Sequence, residues 1–121
     1  MIAYTMGVSS KKVLDFLERF KRKADQEGIH FQDRKRNLDS LANLGLSIED
    51  AEEIILGLTE EEYVTGPEKD LDGSSGEIWV FGSSYGGRRL YIKVKLDNIR
   101  SKCISFHEAD HPLIYPLKKG R

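Results

Sequence analysis

Residues 88–107 read RRLYIKVKLDNIRSKCISFH, and this stretch decides the fold. Two runs in which apolar and polar residues alternate, on either side of Asp97-Asn98, predict two antiparallel strands joined by a short turn. Successive side chains of a strand point to opposite faces, so the alternation divides the hairpin into two faces. The apolar face takes Leu90, Ile92, Val94, Leu96, Ile104 and Phe106. The second face takes Tyr91, Lys93, Lys95, Cys103, Ser105 and His107.

The second face of the hairpin gathers groups that bind anions or transfer protons. It carries lysines, a tyrosine and a histidine but no carboxylate. Polar side chains are common on the solvated face of an antiparallel sheet, so alternation alone also fits a sheet without a site. A solvated face usually carries both signs of charge, however, and the one-sided charge here favours a phosphate ligand.

Length and composition predict one domain over residues 1–121, with a flexible lead-in at 1–8 and a frayed end at 117–121. No run of about 18 apolar residues and no signal sequence is apparent, so we expect a cytoplasmic protein without a membrane span. The single cysteine, Cys103, excludes an internal disulfide and a cysteine-based zinc site within one chain. We expect Cys103 to be a small buried residue.

The net charge of −1 hides an uneven distribution. Residues 49–77 contain one Lys or Arg against eleven Asp or Glu, whereas residues 78–121 contain nine against three. The basic C-terminal part favours binding of a polyanion. The acidic segment fits either a solvated surface or a surface for a basic protein partner.

Helical patterns fill the N-terminal half. Ser9 and Ser10 are predicted to cap a helix over 11–27, which Gly28 ends. Asp33 is predicted to cap a second helix with an apolar stripe of leucines, and Ser47 with Asp50 to cap a third. The third predicted helix covers 48–56, and a short strand at 29–31 lies between the first two.

A further strand at 78–81 completes the fold prediction. It gives a meander of at least three antiparallel strands with helices packed on one side, an α+β layout. Trp79 and Phe81 share one face of this strand, and Ile78 and Val80 share the other. Either pair could lie on the Tyr91 face, where an aromatic ring would stack on bases. Alternatively, all four side chains belong to the core.

The connecting segments are predicted from their turn residues and apolar content. Residues 59–63 predict a helical turn that Gly66-Pro67 ends, and 68–76 predict a mobile loop. Residues 111–116 are apolar enough to lie across the domain.

Four short stretches together resemble a known family: GLTEEEY at 57–63, WVFG at 79–82, YIKVKL at 91–96 and CISFH at 103–107. In this order and spacing they resemble the MqsR (motility quorum-sensing regulator) toxins of type II toxin-antitoxin systems. The resemblance implies a RelE-like fold, an mRNA interferase activity that cuts mRNA, and neutralisation by a cognate antitoxin.

The same resemblance implies roles for particular residues. Tyr91 matches a functional tyrosine of the family. His107 stands where the family pattern Ser-Phe-Lys has a functional lysine, so it is either a different acid-base group or no longer catalytic. Thr65 and Val80 replace an expected lysine and an expected glutamine.

The predicted function is therefore a metal-independent endoribonuclease without a cofactor. Its predicted catalytic residues are His107, Tyr91 and Lys93, and its predicted RNA-binding residues are Lys95, Arg88, Arg89, Trp79 and Ser105. A metal site at His107 and His111 is disfavoured, because the spacing needs a helix that Pro112 prevents. The alternative is a non-catalytic module that binds RNA or protein with the same sheet.

Overall fold

The computed structural model describes residues 8–119, which form three α-helices, one 3₁₀ turn and five strands. The helices are α1 (Ser10–Glu27), α2 (Lys35–Leu44) and α3 (Ile48–Leu56), followed by the 3₁₀ turn Glu60–Glu62. The strands are β1 (Ile29–Phe31), β2 (Tyr63–Glu68), β3 (Glu77–Tyr85), β4 (Arg88–Leu96) and β5 (Ser101–Glu108).

The five strands form one sheet in the order β1-β5-β4-β3-β2. Strands β2 to β5 are antiparallel neighbours, which confirms the predicted meander. Strand β1 pairs with β5 in parallel, so the sheet is mixed rather than wholly antiparallel. The predicted α+β class, with N-terminal helices packed against a sheet, is confirmed.

Helix α1 forms and ends as the sequence predicts. The Ser9 hydroxyl accepts a hydrogen bond from the Lys12 amide at 3.2 Å, and Gly28 follows the last residue with φ 79°. The buried stripe of α1 consists of Val13, Phe16, Leu17, Phe20 and Ala24. Burying one such large apolar side chain stabilises a fold by about 1.5–3 kcal/mol, so this stripe holds the helix on the sheet.

Helix α2 differs in two respects from its prediction. It starts after Arg34, whose side chain makes no capping hydrogen bond, so Asp33 is not the cap. Leu38 is 41% exposed, while the buried side of the helix contains Asn37, Ser40 and Leu41. The polar side is buried because Asn37 bonds to the backbone of β5. Helix α3, in contrast, has the predicted capping box between Ser47 and Asp50.

Strand β2 was not predicted, because Gly66-Pro67 indicated the end of the preceding helical turn and not the middle of a strand. That turn is present as the 3₁₀ segment, and the chain then runs extended as an edge strand against β3. Proline is tolerated at a sheet edge, where its missing N–H has no ladder partner to lose. Tyr63 begins the strand inside the core, and its hydroxyl donates to the Gly66 carbonyl at 2.8 Å.

The main core lies on the helix-facing side of the sheet. Its residues show which pair of β3 side chains faces the helices. Trp79 and Phe81 lie in it, and the Trp79 ring stacks on Phe16 with centroids 4.7 Å apart. Ile78 and Val80 therefore share the opposite face, which we call the outer face, and both are nevertheless buried.

Strand β5 contains one extra residue. Ser105 pairs with Lys93, but Cys103 pairs with the next residue, Val94, so Ile104 forms a bulge. Phe106 lies in the core, and Ser105 and His107 share the face of their β4 partners, as predicted. Cys103 was predicted on the second face and Ile104 on the apolar face. Both predictions are wrong, because the bulge moves Cys103 into the core. Cys103 is fully buried, as expected, and burial raises the pKa of its thiol.

Two segments cross the outer face. The tail after β5 passes over β3, where a methyl group at Gly82 would come within 2.7 Å of Leu113 Cδ1 and 2.8 Å of Tyr115 Cε1. The prediction that 111–116 lies across the domain is confirmed. At the other end of the face, the loop that follows β2, part of the loop predicted over 68–76, contacts β4 through Asp70 and Ser74.

The ends of the chain were predicted to be loose. The lead-in at 1–8 lies outside the described residues except for Val8, which packs against the core. Leu117 also packs against the core, so the predicted frayed end is wrong at that position, and 120–121 lie outside the described range. No helix between residues 8 and 119 is long and apolar enough to cross a membrane.

Candidate functional site

The outer face brings the three predicted catalytic residues together. Two neighbouring rows of paired residues run across the sheet there. The first row contains His107, Tyr91 and Gly82, and the second contains Ser105, Lys93, Val80 and Thr65. Residues two apart on a strand are about 7 Å apart, so a bound phosphate could contact both rows.

His107 and Tyr91 stack directly on each other. Their ring centroids are 5.1 Å apart and the ring planes differ by 12°. The Nδ1 atom of His107 lies 2.9 Å from the carbonyl oxygen of Glu108. A carbonyl can only accept, so in the neutral ring Nδ1 carries the hydrogen and Nε2 is left as the acceptor. The geometry thus leaves one basic nitrogen able to take a proton from a ligand.

Tyr91 is held in its protonated form. Burial raises the pKa of its hydroxyl, and the Glu68 carboxylate raises it further. At neutral pH the Tyr91 hydroxyl is therefore a hydrogen-bond donor and not a phenolate. It complements His107, which offers an acceptor beside it.

Lys93 supplies a positive charge next to these two rings. Its side chain is half-buried beside Ser105, which is 9% exposed. Within the described residues Lys93 forms no ion pair. An ammonium group without a carboxylate partner is available to an anionic ligand.

Lys95, predicted to bind RNA, is instead buried and forms an ion pair with Asp70. It is 3% exposed, and its Nζ atom contacts Asp70 Oδ2 at 2.9 Å and Ser74 Oγ at 2.6 Å. Hydrogen bonding to Lys95 lowers the pKa of Asp70 to about 2. The prediction for Lys95 is wrong because the loop, about 20 residues earlier in the chain, folds over it and neutralises it.

Trp79, also predicted to contact RNA, lies on the other side of the sheet. It is 2% exposed in the main core, and its indole N–H donates to Glu77 at 3.2 Å. The ring is closed off by Phe16 and Tyr63, so a base cannot reach it. The prediction is wrong because the alternation along β3 places Trp79 on the helix-facing side of the sheet, opposite Val94.

The two arginines at the start of β4 separate to opposite faces. Arg89 alternates with Tyr91 and lies on the outer face, close enough to Tyr115 to counteract the rise in the pKa of that hydroxyl caused by burial. Arg88 alternates with Leu90 and lines a groove of about 520 Å³ between α2 and the strand ends. His107 lines the same groove, which therefore opens beside the stacked rings.

Sequence reasoning missed two residues of this face. Tyr115 packs over Gly82, the cross-strand partner of Tyr91, and Glu68 is near enough to act on the Tyr91 hydroxyl. The predicted crossing of the tail was the only signal for Tyr115. No signal in the sequence indicates Glu68, because its position depends on the unpredicted strand β2.

The positions that depart from the family pattern also meet here. Thr65, Val80 and His107 all belong to the two rows, together with the matching Tyr91. Thr65 and Val80 contribute no ionisable group, so the ionisable groups of the two rows are His107, Tyr91 and Lys93. Over residues 8–119 no group of three or more His, Cys, Asp or Glu is placed to hold a metal ion.

Comparison with protein families identifies the family of this chain. A family model described as "Motility quorum-sensing regulator, toxin of MqsA" matches residues 5–108. No curated protein and no solved structure matches the chain. The matched range covers every strand of the sheet and both rows of the candidate site, but it ends before the tail that carries Tyr115.

Proposed function

Since the chain belongs to the MqsR family of toxins from toxin-antitoxin systems, we propose that it is a metal-independent endoribonuclease that cleaves mRNA in the cytoplasm. Membership of this family implies a cognate antitoxin as its protein partner. The observation that carries the proposal is the His107–Tyr91 stack with His107 Nε2 left as an acceptor. It supplies a base and a hydrogen-bond donor at one place, next to the positive charge of Lys93.

RNA can be cleaved without a metal through its own 2′-hydroxyl. In the proposed reaction His107 Nε2 takes the 2′-hydroxyl proton, and the 2′-oxygen attacks the adjacent phosphorus. The bond from phosphorus to the 5′-oxygen breaks, leaving a 2′,3′-cyclic phosphate and a 5′-hydroxyl. Tyr91 donates its proton to the departing 5′-oxygen, and exchange with water then returns a proton to Tyr91 and removes the one that His107 took. Lys93 offsets the negative charge that grows on the phosphate oxygens.

Other residues would position the RNA chain. Ser105 lies opposite Lys93 and can hydrogen-bond to the same phosphate. Arg89 continues the outer face beyond Tyr91, where a guanidinium suits a neighbouring phosphate. Contacts of this kind fix the register of a nucleic acid without reading its sequence.

A second function is a non-catalytic module that binds RNA or a protein partner. The observation that favours it is the chemistry of Thr65 and Val80, which leave the row beside Lys93 without the lysine and glutamine of the family pattern. On this alternative the basic outer face still binds a polyanion, but the protein turns over no substrate.

The test is cleavage of a defined single-stranded RNA by purified protein in EDTA. We expect cleavage to persist in the chelator and to yield 2′,3′-cyclic phosphate ends. His107→Ala should lower the rate by about 10²–10⁴, the usual contribution of a general acid or base. His111→Ala is the matched control, because it removes an exposed histidine outside the two rows.

Tyr91→Phe removes only the donor hydroxyl and should also slow cleavage, while Tyr85→Phe on the neighbouring strand should not. Absence of cleavage by the wild type would be followed by the same assay with translating ribosomes. If that also shows no cleavage while RNA binding is retained, the non-catalytic alternative replaces the proposal.

A further inference from the structure

The bulge in β5 lies directly beside the proposed site. Ser105 keeps its pairing with Lys93, and His107 keeps its pairing with Tyr91, while Cys103 shifts by one residue to pair with Val94. Ile104 is the inserted residue between the two halves of the strand. A regular strand would turn one of these halves over, because a slip of one residue exchanges the faces. The bulge therefore lets Cys103 enter the core while His107 stays on the outer face.

One side chain, Asn37 on α2, holds this bulge. Its Nδ2 donates to the Ile104 carbonyl at 2.9 Å and to the Gln32 carbonyl at 3.0 Å, and its Oδ1 accepts from the Phe106 amide at 3.1 Å. The residue is 1% exposed. Both hydrogens and the oxygen of the amide are therefore used on backbone groups, two of which flank the bulge.

We propose that Asn37 is a positioning residue for His107. By fixing the backbone between Ile104 and Phe106, it sets where the strand resumes its regular pairing. His107 is the next residue, so the same hydrogen bonds determine how its ring meets Tyr91. The consequence for RNA cleavage depends on the proposed function, whereas the structural link between Asn37 and the His107–Tyr91 stack does not.

The chemistry at position 37 requires an amide. Aspartate has nearly the same shape and could still accept from the Phe106 amide, but its second oxygen would face the carbonyls of Ile104 and Gln32 and could not donate to them. Alanine would leave all three backbone groups without this partner, and the contacts to Ile104 and Phe106 are buried. Asn37→Asp thus tests the donated hydrogen bonds, and Asn37→Ala tests the whole contact.

A control must separate positioning from ordinary packing damage. Ser40 lies one turn later on α2, is 7% exposed and lines the groove next to His107. Among the described residues its hydroxyl makes no hydrogen bond to β5. Ser40→Ala therefore perturbs the same helix at a similar depth without touching the bulge.

The first experiment uses NMR on the full chain without RNA. Stacking on Tyr91 shifts the ring signals of His107, and Tyr91→Ala gives the positions of the unstacked ring. We expect the His107 signals in Asn37→Ala and Asn37→Asp to move towards those unstacked positions. Exchange of the Phe106 amide hydrogen should become at least about tenfold faster in Asn37→Ala, relative to core amides, because that variant removes its acceptor. Ser40→Ala should leave both observables unchanged.

The second experiment measures single-turnover cleavage. A displacement of the base by about 1 Å can cost about 100-fold in rate, so Asn37→Asp should lower the rate at saturating RNA while RNA affinity changes little. Unchanged His107 signals in both Asn37 variants, or the same changes in Ser40→Ala, would overturn the inference. If Asn37→Ala does not fold, the His107 ring signals of Asn37→Asp decide the question, because this variant loses only the hydrogen bonds that Asn37 donates. An inactive wild type with the expected NMR changes would refute the proposed enzyme and retain the positioning link.

Discussion

Lys93 and Lys95 lie two residues apart on the same strand and the same face, yet their surroundings differ completely. Lys93 has no carboxylate partner in the described part of the chain, whereas Lys95 is enclosed by Asp70 and Ser74. Alternation along β4 predicted the face of both side chains correctly. It could not predict what covers that face, because the covering loop comes from a distant part of the sequence. The difference divides the outer face into the half around Lys93, which carries the proposed site and is called the functional half, and the structural half around Lys95.

The largest expected effect is on the functional half. Lys93→Ala should slow RNA cleavage by about 10²–10³, the usual loss when one group that stabilises transition-state charge is removed. The free energy of unfolding should change by no more than about 0.5 kcal/mol, because no ion pair is lost. Cleavage rates and urea unfolding of the same preparation check both statements. Lys102→Ala, which removes a cation of β5 that lies 3.8 Å from Asp97, is the matched control. Equal losses of activity in the two variants would remove the special role of Lys93.

The structural half should give the opposite result. Asp70→Asn leaves the Lys95 ammonium, which is 3% exposed, without its counter-charge. Leaving a buried charge without its counter-charge destabilises the folded state, so the unfolding midpoint in urea should fall clearly. Asp72→Asn in the same loop is the control, because Asp72 is exposed and its amide substitute can still accept from the Ser74 amide. A loss in Asp72→Asn as large as in Asp70→Asn would contradict the assignment of the ion pair.

The two halves also show which features of the structure can be predicted from the sequence. Local signals predicted the cap at Ser9, the capping box at Ser47 and the strands of the meander, because each depends on neighbours within a few residues. Alternation on two strands predicted that Tyr91 and His107 share a face, but their stacking depends on the register of the strands, which alternation does not give. The position of Trp79 depended on the choice between two equally regular faces. The bulge at Ile104 could not be predicted from neighbouring residues, and Asn37, which bonds to the Ile104 carbonyl, is 67 positions away in the sequence.

A smaller effect is expected where the tail bounds the functional half. Gly82→Ala would place a methyl group 2.7 Å from Leu113 Cδ1 and 2.8 Å from Tyr115 Cε1. Overpacking of this kind costs about 1–3 kcal/mol, and the tail should move away from Tyr91 to relieve it. Urea unfolding measures the loss, and fluorescence of a probe attached to the tail measures the movement. In a chain shortened by deletion of 111–121, Gly82→Ala should cost much less. The same cost in both chains would show that the tail is not what fills the space over Gly82.

The smallest expected effect is a difference between the two halves in how pH changes the free energy of unfolding. The pKa of Asp70 in the folded chain is about 2, below the ordinary 3.8, because Lys95 stabilises the carboxylate. A lowered pKa means that the ion pair contributes its full stability above about pH 4 and loses it as the pH falls towards 2. Other carboxylates titrate in the same range, so the informative quantity is the difference in unfolding free energy between the wild type and Asp70→Asn. That difference should be constant from pH 7 to 5 and shrink as the pH falls below 4, whereas the difference between the wild type and Lys93→Ala should not change. If the difference in unfolding free energy between the wild type and Asp70→Asn stays constant down to pH 3, Asp70 and Lys95 do not interact as an ion pair.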